Sequence, residues 1–369
     1  MLDRSQMTVR QAPRLRRPTS LAALLCFLAS GCGGGASRSD DDGDEDAAVG
    51  VDGGPSNGHD SGPASDGGGG GDDGGRDGVD AGPTAGVVHV VLFTHIEDNM
   101  PDGALGSPTN CEAYDRLSGK LIEMAGAALD HELQWVLQSD WKLLESARLC
   151  DDGANTDGKN LFLYLRGDLS VILDPHSHEN GGYNYTDVAY LHELLGVGGS
   201  TVIGGHIWDP SLPQFQEWDR FREPVAGLMY PEASWRGDIL IGAGTPQHVN
   251  DPLVSGAWRP RDRDDFFTDD PAGNVVAFGQ WHDDVAGVEE LVELYADGTV
   301  PPDALLTASW NIAPAMIVGP GGLAAVEQSM LAPMAELRDQ GLVVVTDFTS
   351  LADTWRSDYG GEAFLYQRE

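Results

Sequence analysis

The sequence predicts an α/β fold, a single-domain, distorted (β/α) barrel of seven or eight units over residues 87–369. Two observations carry this. Short apolar runs recur from Val88 to Thr346, and most are followed by apolar residues at helical spacing. Strands alternating with helices argue parallel pairing, and the run Val171-Ile172-Leu173 is continuously apolar, as a strand buried on both faces of a parallel sheet is. About 285 residues lie beyond the first quarter of the chain, enough for one large domain with a full core.

The runs, in order, are 88–94, 134–138, 170–173, 201–204, 238–242, 274–279, 304–309 and 342–346. Helical spacing is found around 114–129, after a plausible N-cap at Thr186, and over 285–295, 322–340 and 350–355. Gly341 suits the position just past a helix end. Ionisable and aromatic residues collect just beyond the runs. His95, Glu97 and Asp98 follow the first, Asp140 the second, His176 and His178 the third, and His206 and Trp208 the fourth. His248 follows the fifth, Trp281, His282, Asp283 and Asp284 the sixth, Trp310 and Asn311 the seventh, and Asp347 the eighth. Barrel active sites form at the carboxyl ends of strands. A doubly wound open sheet also gathers its ligands at that edge and is the alternative architecture.

The third run ends in Asp174-Pro175-His176-Ser177-His178-Glu179. Histidines at i and i+2 of an extended chain point the same way and are placed to share one ion. Imidazole and carboxylate are the donors that Zn²⁺ and similar divalent ions take. A polar loop with solvated histidines is the plain alternative.

Formal net charge is −37 over 369 residues. That excludes nucleic-acid binding through phosphates, which needs clustered Lys and Arg, and argues against docking on anionic headgroups. No GxSxG elbow is present, which argues against a Ser/His/Asp hydrolase.

Residues 1–31 read as an address. Arg10, Arg14, Arg16 and Arg17 precede an apolar segment, Leu21 to Leu28, that is too short to span a bilayer. Ala29-Ser30-Gly31-Cys32 then resembles a bacterial lipoprotein signal. The resemblance implies acylation of Cys32 and a lipid-anchored place in the cell envelope, periplasmic or at the cell surface, with the membrane met through the anchor alone. Residues 32–86 are Gly, Asp, Ser, Pro and Ala with almost no large apolar side chain, hence a disordered linker with a reach of roughly 40 Å. With Cys26 in the signal and Cys32 acylated, Cys111 and Cys150 remain. In an oxidising compartment they are expected to pair, at about 4 kcal/mol for a loop of about forty residues; two free thiols are the alternative.

With the runs placed, the order of motifs resembles the polysaccharide deacetylase (NodB-like) family of the glycoside hydrolase/deacetylase superfamily. The counterparts are Glu97-Asp98 in FTHIEDN, His176 and His178 in DPHSHEN, Trp258-Arg259-Pro260 in SGAWRPRD, and the closing VVVTDFTSLADTW. The first pair is Glu-Asp where the family has Asp-Asp. The second histidine stands at i+2, with Asn180 at the family's i+4. The family's late Leu-x-His has no counterpart in 305–311, and His282 is the nearest substitute. The resemblance implies a metal site of Asp98, His176 and His178, most simply Zn²⁺, with Glu97 as general base and Arg259 orienting that carboxylate or the substrate. His95 and His206 are reserve ligands. Trp208, Trp281 and Trp310 are candidates for stacking on sugar rings, or core residues instead. The expectation is a monomeric, tethered, metal-dependent hydrolase acting on an acetylated glycan. Two alternatives stand beside it. One is a non-catalytic carbohydrate- or envelope-binding lipoprotein; the other is a glycosidase using two of Glu97, Asp98, Asp140 and Asp283.

Overall fold

The structure, a computed structural model, describes residues 86–205, 217–241, 253–281, 284–319 and 321–368. The chain divides into two units, 1–76 and 77–369, and every described residue lies in the second. The signal segment, Cys32, the linker to residue 85, His206, Trp208, His248, His282 and Asp283 lie outside the described residues.

The first strand, β1 (Val88–Ile96), is the centre of the fold, and Val88 through Thr94 are all buried. It is followed by α1 (Pro108–Asp130), β2 (Val136–Ser139), α2 (Trp141–Cys150), α3 (Leu161–Asp168), β3 (Ile172–Pro175) and α4 (Tyr185–Leu194). Next come β4 (Val202–Ile203), a 3-10 turn at Trp218–Arg222, the small hairpin β5 (Val225–Ala226) and β6 (Ser234–Trp235), then β7 (Ile239–Ile241), β8 (Val254–Trp258) and β9 (Val276–Phe278). The chain continues through α5 (Val285–Ala296), β10 (Leu306–Asn311), α6 (Pro314–Val318), α7 (Gly322–Val326), α8 (Ala332–Asp339), β11 (Val343–Thr346), α9 (Phe348–Ser357) and β12 (Phe364–Gln367).

Helix α1 starts where Ser107 accepts the Asn110 amide and Pro108 sits in the first turn, a position that needs no N–H. Tyr114, Leu117, Leu121, Met124, Ala125 and Ala128 form its buried stripe at i, i+3, i+4 spacing. For α4 the cap is Asn184, not Thr186. Asn184 and Asp187 form a reciprocal capping box, and Thr186 lies inside the first turn and donates to the Val225 carbonyl. The helix read over 322–340 is α7 and α8 joined by a π-helical turn at Glu327–Leu331. The wider turn lies next to Pro333, which contributes no N–H to the helix.

One sheet has the order β10-β1-β2-β3, with β11 also paired to β1, and every pairing in it is parallel. Its register aligns His95 with Gln138 and Gln138 with Asp174. The second sheet is β12-β8-β9-β7-β4. Here β4, β7 and β9 are parallel, while β8 runs antiparallel to both β9 and β12. The uniformly parallel arrangement read from the sequence is corrected there. Gly256 (φ +116°) lets the β8 and β12 backbones approach so closely that a Cβ would lie 2.2 Å from the Phe364 carbonyl oxygen. The observed architecture is thus a mixed α/β fold built on a parallel sheet.

Among the described residues, hydrogen bonds join the two sheets along both edges. His176 and Gly204 form a parallel bridge between the ends of β3 and β4. On the other side Thr307 of β10 donates from Oγ1 to the Gly279 carbonyl (2.8 Å), and the Ser309 amide donates to the Gln280 carbonyl (2.9 Å). Val91, Phe93, Val136, Val202, Ile239, Ile241, Val276 and Phe278, from both sheets, pack into one apolar cluster with Phe348 and Trp355 of α9. A disulfide joins Cys111 of α1 to Cys150 of α2. No helix among the described residues is long and apolar enough to cross a membrane.

Loop 227–230 is fastened to α2 and α4 by two buried carboxylates. Asp187 accepts the amides of Leu228, Met229 and Tyr230 as well as Asn184. Glu145 accepts the hydroxyls of Tyr183 (3.2 Å) and Tyr230 (2.7 Å) and pairs with Arg148.

A candidate metal centre at the carboxyl edge of the parallel sheet

Because β1, β2 and β3 are adjacent and parallel, the residues after each fall on one edge. Glu97 and Asp98 come from β1, Asp140 from β2, and His176 and His178 from β3. Period-two alternation holds for the two histidines, whose ring centroids are 4.9 Å apart. Glu97 Oε2 lies 3.1 Å from Nε2 of His176 and 3.1 Å from Nε2 of His178. His176 is fully buried, whereas the His178 side chain is about a third exposed, so the site runs from the interior to the surface. His95, on β1 itself, places its ring 4.3 Å from that of His176.

Among the described residues there are three sets of donors, the atoms of each within 4.8 Å of one another: His95 with Glu97 and His176, Asp140 with His176 and His178, and Glu97 with Asp98 and His178. These sets could hold a metal ion. The expected trio of Asp98, His176 and His178 is not among them. Asp98 joins Glu97 and His178 on the outer side, where Asn180 donates to it. Glu97, expected as a base, stands between the two imidazoles.

The surroundings hold the donors in place. Asp140 caps α2 through the Trp141 amide (2.6 Å) and accepts the His178 amide with its other oxygen (3.2 Å). Gly205 (φ +77°) lies against the His176 ring, where a Cβ would meet Cε1 at 2.2 Å. Glu179 occupies left-handed backbone (φ +54°) and is paired with Arg220. A non-glycine residue in that conformation beside a donor cluster is strain of the kind found at functional sites.

Electrostatics separate the carboxylates. Burial raises the Glu97 carboxyl, but the hydrogen bond and charge of His176, with the charge of His178, outweigh it and hold Glu97 at about 2. Burial pushes Asp140 up to about 6 against the opposing His176 charge and its two backbone hydrogen bonds. Burial and the neighbouring His176 keep His95 well below the ordinary histidine range, so it is neutral at pH 7. Deeper in the sheet, burial raises Asp174 to about 7 while Ser200 donates to it (2.6 Å). Nε2 of His95 and Nδ1 of His176 are buried and have no hydrogen-bond partner among the described residues.

Other expected residues are placed elsewhere. Arg259 grips Asp269 through Nε (3.0 Å) and Nη2 (2.8 Å) and lies over the Trp355 ring; its described partners do not include Glu97. Trp281 and Trp310, candidates for sugar stacking, are core side chains at 0% and 6% exposure. The aromatic residue that the sequence reading missed is Trp141. It stacks on Tyr183 (centroids 4.6 Å, planes 2° apart), keeps part of its surface open, and donates from Nε1 to Asn180 Oδ1 (3.2 Å). Asn180 in turn donates to Asp98. The available signal was the Asp140-Trp141 pair directly after the second apolar run.

No family model and no curated protein matches the chain. Among solved structures it is similar to a 4-alpha-glucanotransferase from Thermococcus litoralis, at 11% identity and a TM-score of 0.39, over 73% of this chain and 40% of that one. The chain thus spans well under half the length of that protein.

Proposed function

We propose that this chain is a metal-dependent carbohydrate hydrolase, a deacetylase of an acetylated glycan, tethered to the bacterial cell envelope by an acylated Cys32. The observation that carries the reading is the placement of Glu97 3.1 Å from Nε2 of both His176 and His178 at the carboxyl edge of a parallel sheet. Closure of the two sheets into a barrel through the His176–Gly204 bridge and the Thr307 and Ser309 hydrogen bonds is part of the same proposal.

The donors fit a divalent ion of the Zn²⁺ type. They are imidazole and carboxylate, Glu97 is ionised, His95 is neutral, and two buried ring nitrogens have no other partner among the described residues. Bound there, such an ion supplies Lewis acidity toward an acyl oxygen and a lowered pKa for water. The protein's part is positional. Asp140 Oδ2 fixes the His178 backbone, Asn180 orients Asp98, and Gly205 leaves room for the His176 ring. Trp141, with its part-open indole beside Asn180, is the surface offered to a sugar ring.

The test is metal content of the purified protein and of its His176→Ala/His178→Ala double variant, followed by acetate release from acetylated glycans. At least one equivalent of zinc in the wild type, lost in the variant together with acetate release, is expected. A metal-free wild type with intact fold refutes the reading.

A second reading, glycoside hydrolysis by two carboxylates, draws on the convergence of Glu97 and Asp140 on the same histidine pair. It predicts release of reducing sugar without acetate, insensitive to chelators.

A further inference from the structure

We infer that Glu97 is a bridging carboxylate and that the edge holds two divalent cations, an inner one on His95, Glu97 and His176 and an outer one on Glu97, Asp98 and His178. The inference rests on the metal-dependent reading above and adds to it the number of ions and the division of ligands.

Three observations support it. The first is spatial. Ligands of one zinc-type ion lie roughly 2.1 Å from it and so at most about 4.2 Å from one another. The donors here are spread over overlapping sets, and Asp98 shares no set with His95 or His176. A single ion therefore leaves either the inner or the outer residues unused. The second is the position of Glu97, the member common to the inner and outer sets. One of its oxygens already faces the buried His176 and the surface-facing His178 at 3.1 Å each, and a carboxylate offers a second oxygen. Two-metal hydrolytic sites are built on that kind of shared ligand.

The third is polar satisfaction. His95 Nε2 is buried and has no hydrogen-bond partner among the described residues, and an unpaired buried polar atom is costly. An inner ion removes that cost. A site served only from His176, His178 and Asp98 gives His95 nothing to do. The charge balance agrees, since Glu97, Asp98 and Asp140 surround the imidazoles and one dication leaves them in excess.

The test is zinc stoichiometry of the full chain, by elemental analysis and calorimetric titration of the metal-stripped protein at low micromolar free zinc. The wild type is expected to bind two equivalents, His95→Ala one and Asp98→Ala one, each with an unchanged circular dichroism spectrum. Any other pattern overturns the inference. One equivalent in the wild type leaves the single-ion hydrolase standing; none removes that reading as well. Cobalt substitution of the wild type tests the bridge without any variant. Two ions sharing Glu97 give a spin-coupled spectrum at two equivalents, whereas two uncoupled signals overturn the bridge.

Discussion

His192 makes the fold sensitive to acid in a way that can be isolated. It lies on α4, is 2% exposed, and has its ring 6.0 Å from that of Phe162. Burial lowers its pKa from 6.5 to about 4, with the Ser139 backbone opposing and the Arg166 charge adding to the shift. The unfolded chain thus takes up the proton first. The stabilising contribution is complete above pH 6.5 and drains as pH falls through about 4. At ~1.4 kcal/mol per pH unit, the gap between 6.5 and about 4 amounts to about 3 kcal/mol by pH 4. Replacing His192 with Gln removes the titration. Urea unfolding at pH 7 and pH 4 should show wild type losing about 3 kcal/mol more than His192→Gln over that interval. Parallel losses in the two proteins would mean that His192 is already charged in the folded state, or solvated there, and would refute the burial argument.

Three further outcomes follow from the packing. Replacing Cys111 and Cys150 with Ser should lower unfolding stability by about 4 kcal/mol in urea, since the bond closes a loop with sequence separation 39; an unchanged midpoint would remove the disulfide from the account. Asp187→Ala strands the amides of Leu228, Met229 and Tyr230 and should cost about 3 kcal/mol or more, read as a lower urea midpoint with early protease cutting in 227–230. Gly205→Ala drives a Cβ to 2.2 Å from the His176 ring and should weaken zinc binding about 10- to 100-fold by calorimetry; full affinity would show that the His176 ring is free to move.

Much of the parallel sheet is legible in the sequence because β1, β2, β3, β10 and β11 each overlap a short apolar-rich run, and such runs are a local property. The antiparallel β8 and β12 are not. Their pairing joins Ala257 to Phe364 across more than a hundred residues and depends on Gly256, whose left-handed φ leaves no local signature. Helices α2 and α3 are short enough that their stripes, Leu143, Leu144 and Ala147 and then Leu161, Phe162 and Leu165, give little period to detect. At the site, the i, i+2 histidines place themselves. Arg259 does not, because Asp269, the partner that sequesters it, comes from a loop ten residues on. Trp281 and Trp310 stand where strand-end aromatics were expected, but composition at a strand end does not fix which way a ring turns, and both turn inward.

The enrichment of acidic residues at strand ends has two physical sources that the sequence cannot separate. A helix following a strand needs a short polar N-cap, and Asp140, Asp284 and Asp347 serve α2, α5 and α9 in that way. Asp347 spends both oxygens on Ser350, one on its amide (2.9 Å) and one on its hydroxyl (2.6 Å), and its role is accounted for as a cap. Asp140 spends one oxygen on the Trp141 amide and turns the other to the His178 backbone, within the donor set of His176 and His178. The same residue type at the same position is therefore a cap in one unit and a cap plus a site residue in another. What distinguishes them is the neighbouring strand. Beside β2 stands β3, which brings two histidines to the edge, whereas β11 pairs with β1 at its amino-terminal half, Val88 to Val91, away from Glu97. Strand order, set by long-range pairing, thus decides which capping aspartate reaches the candidate metal centre.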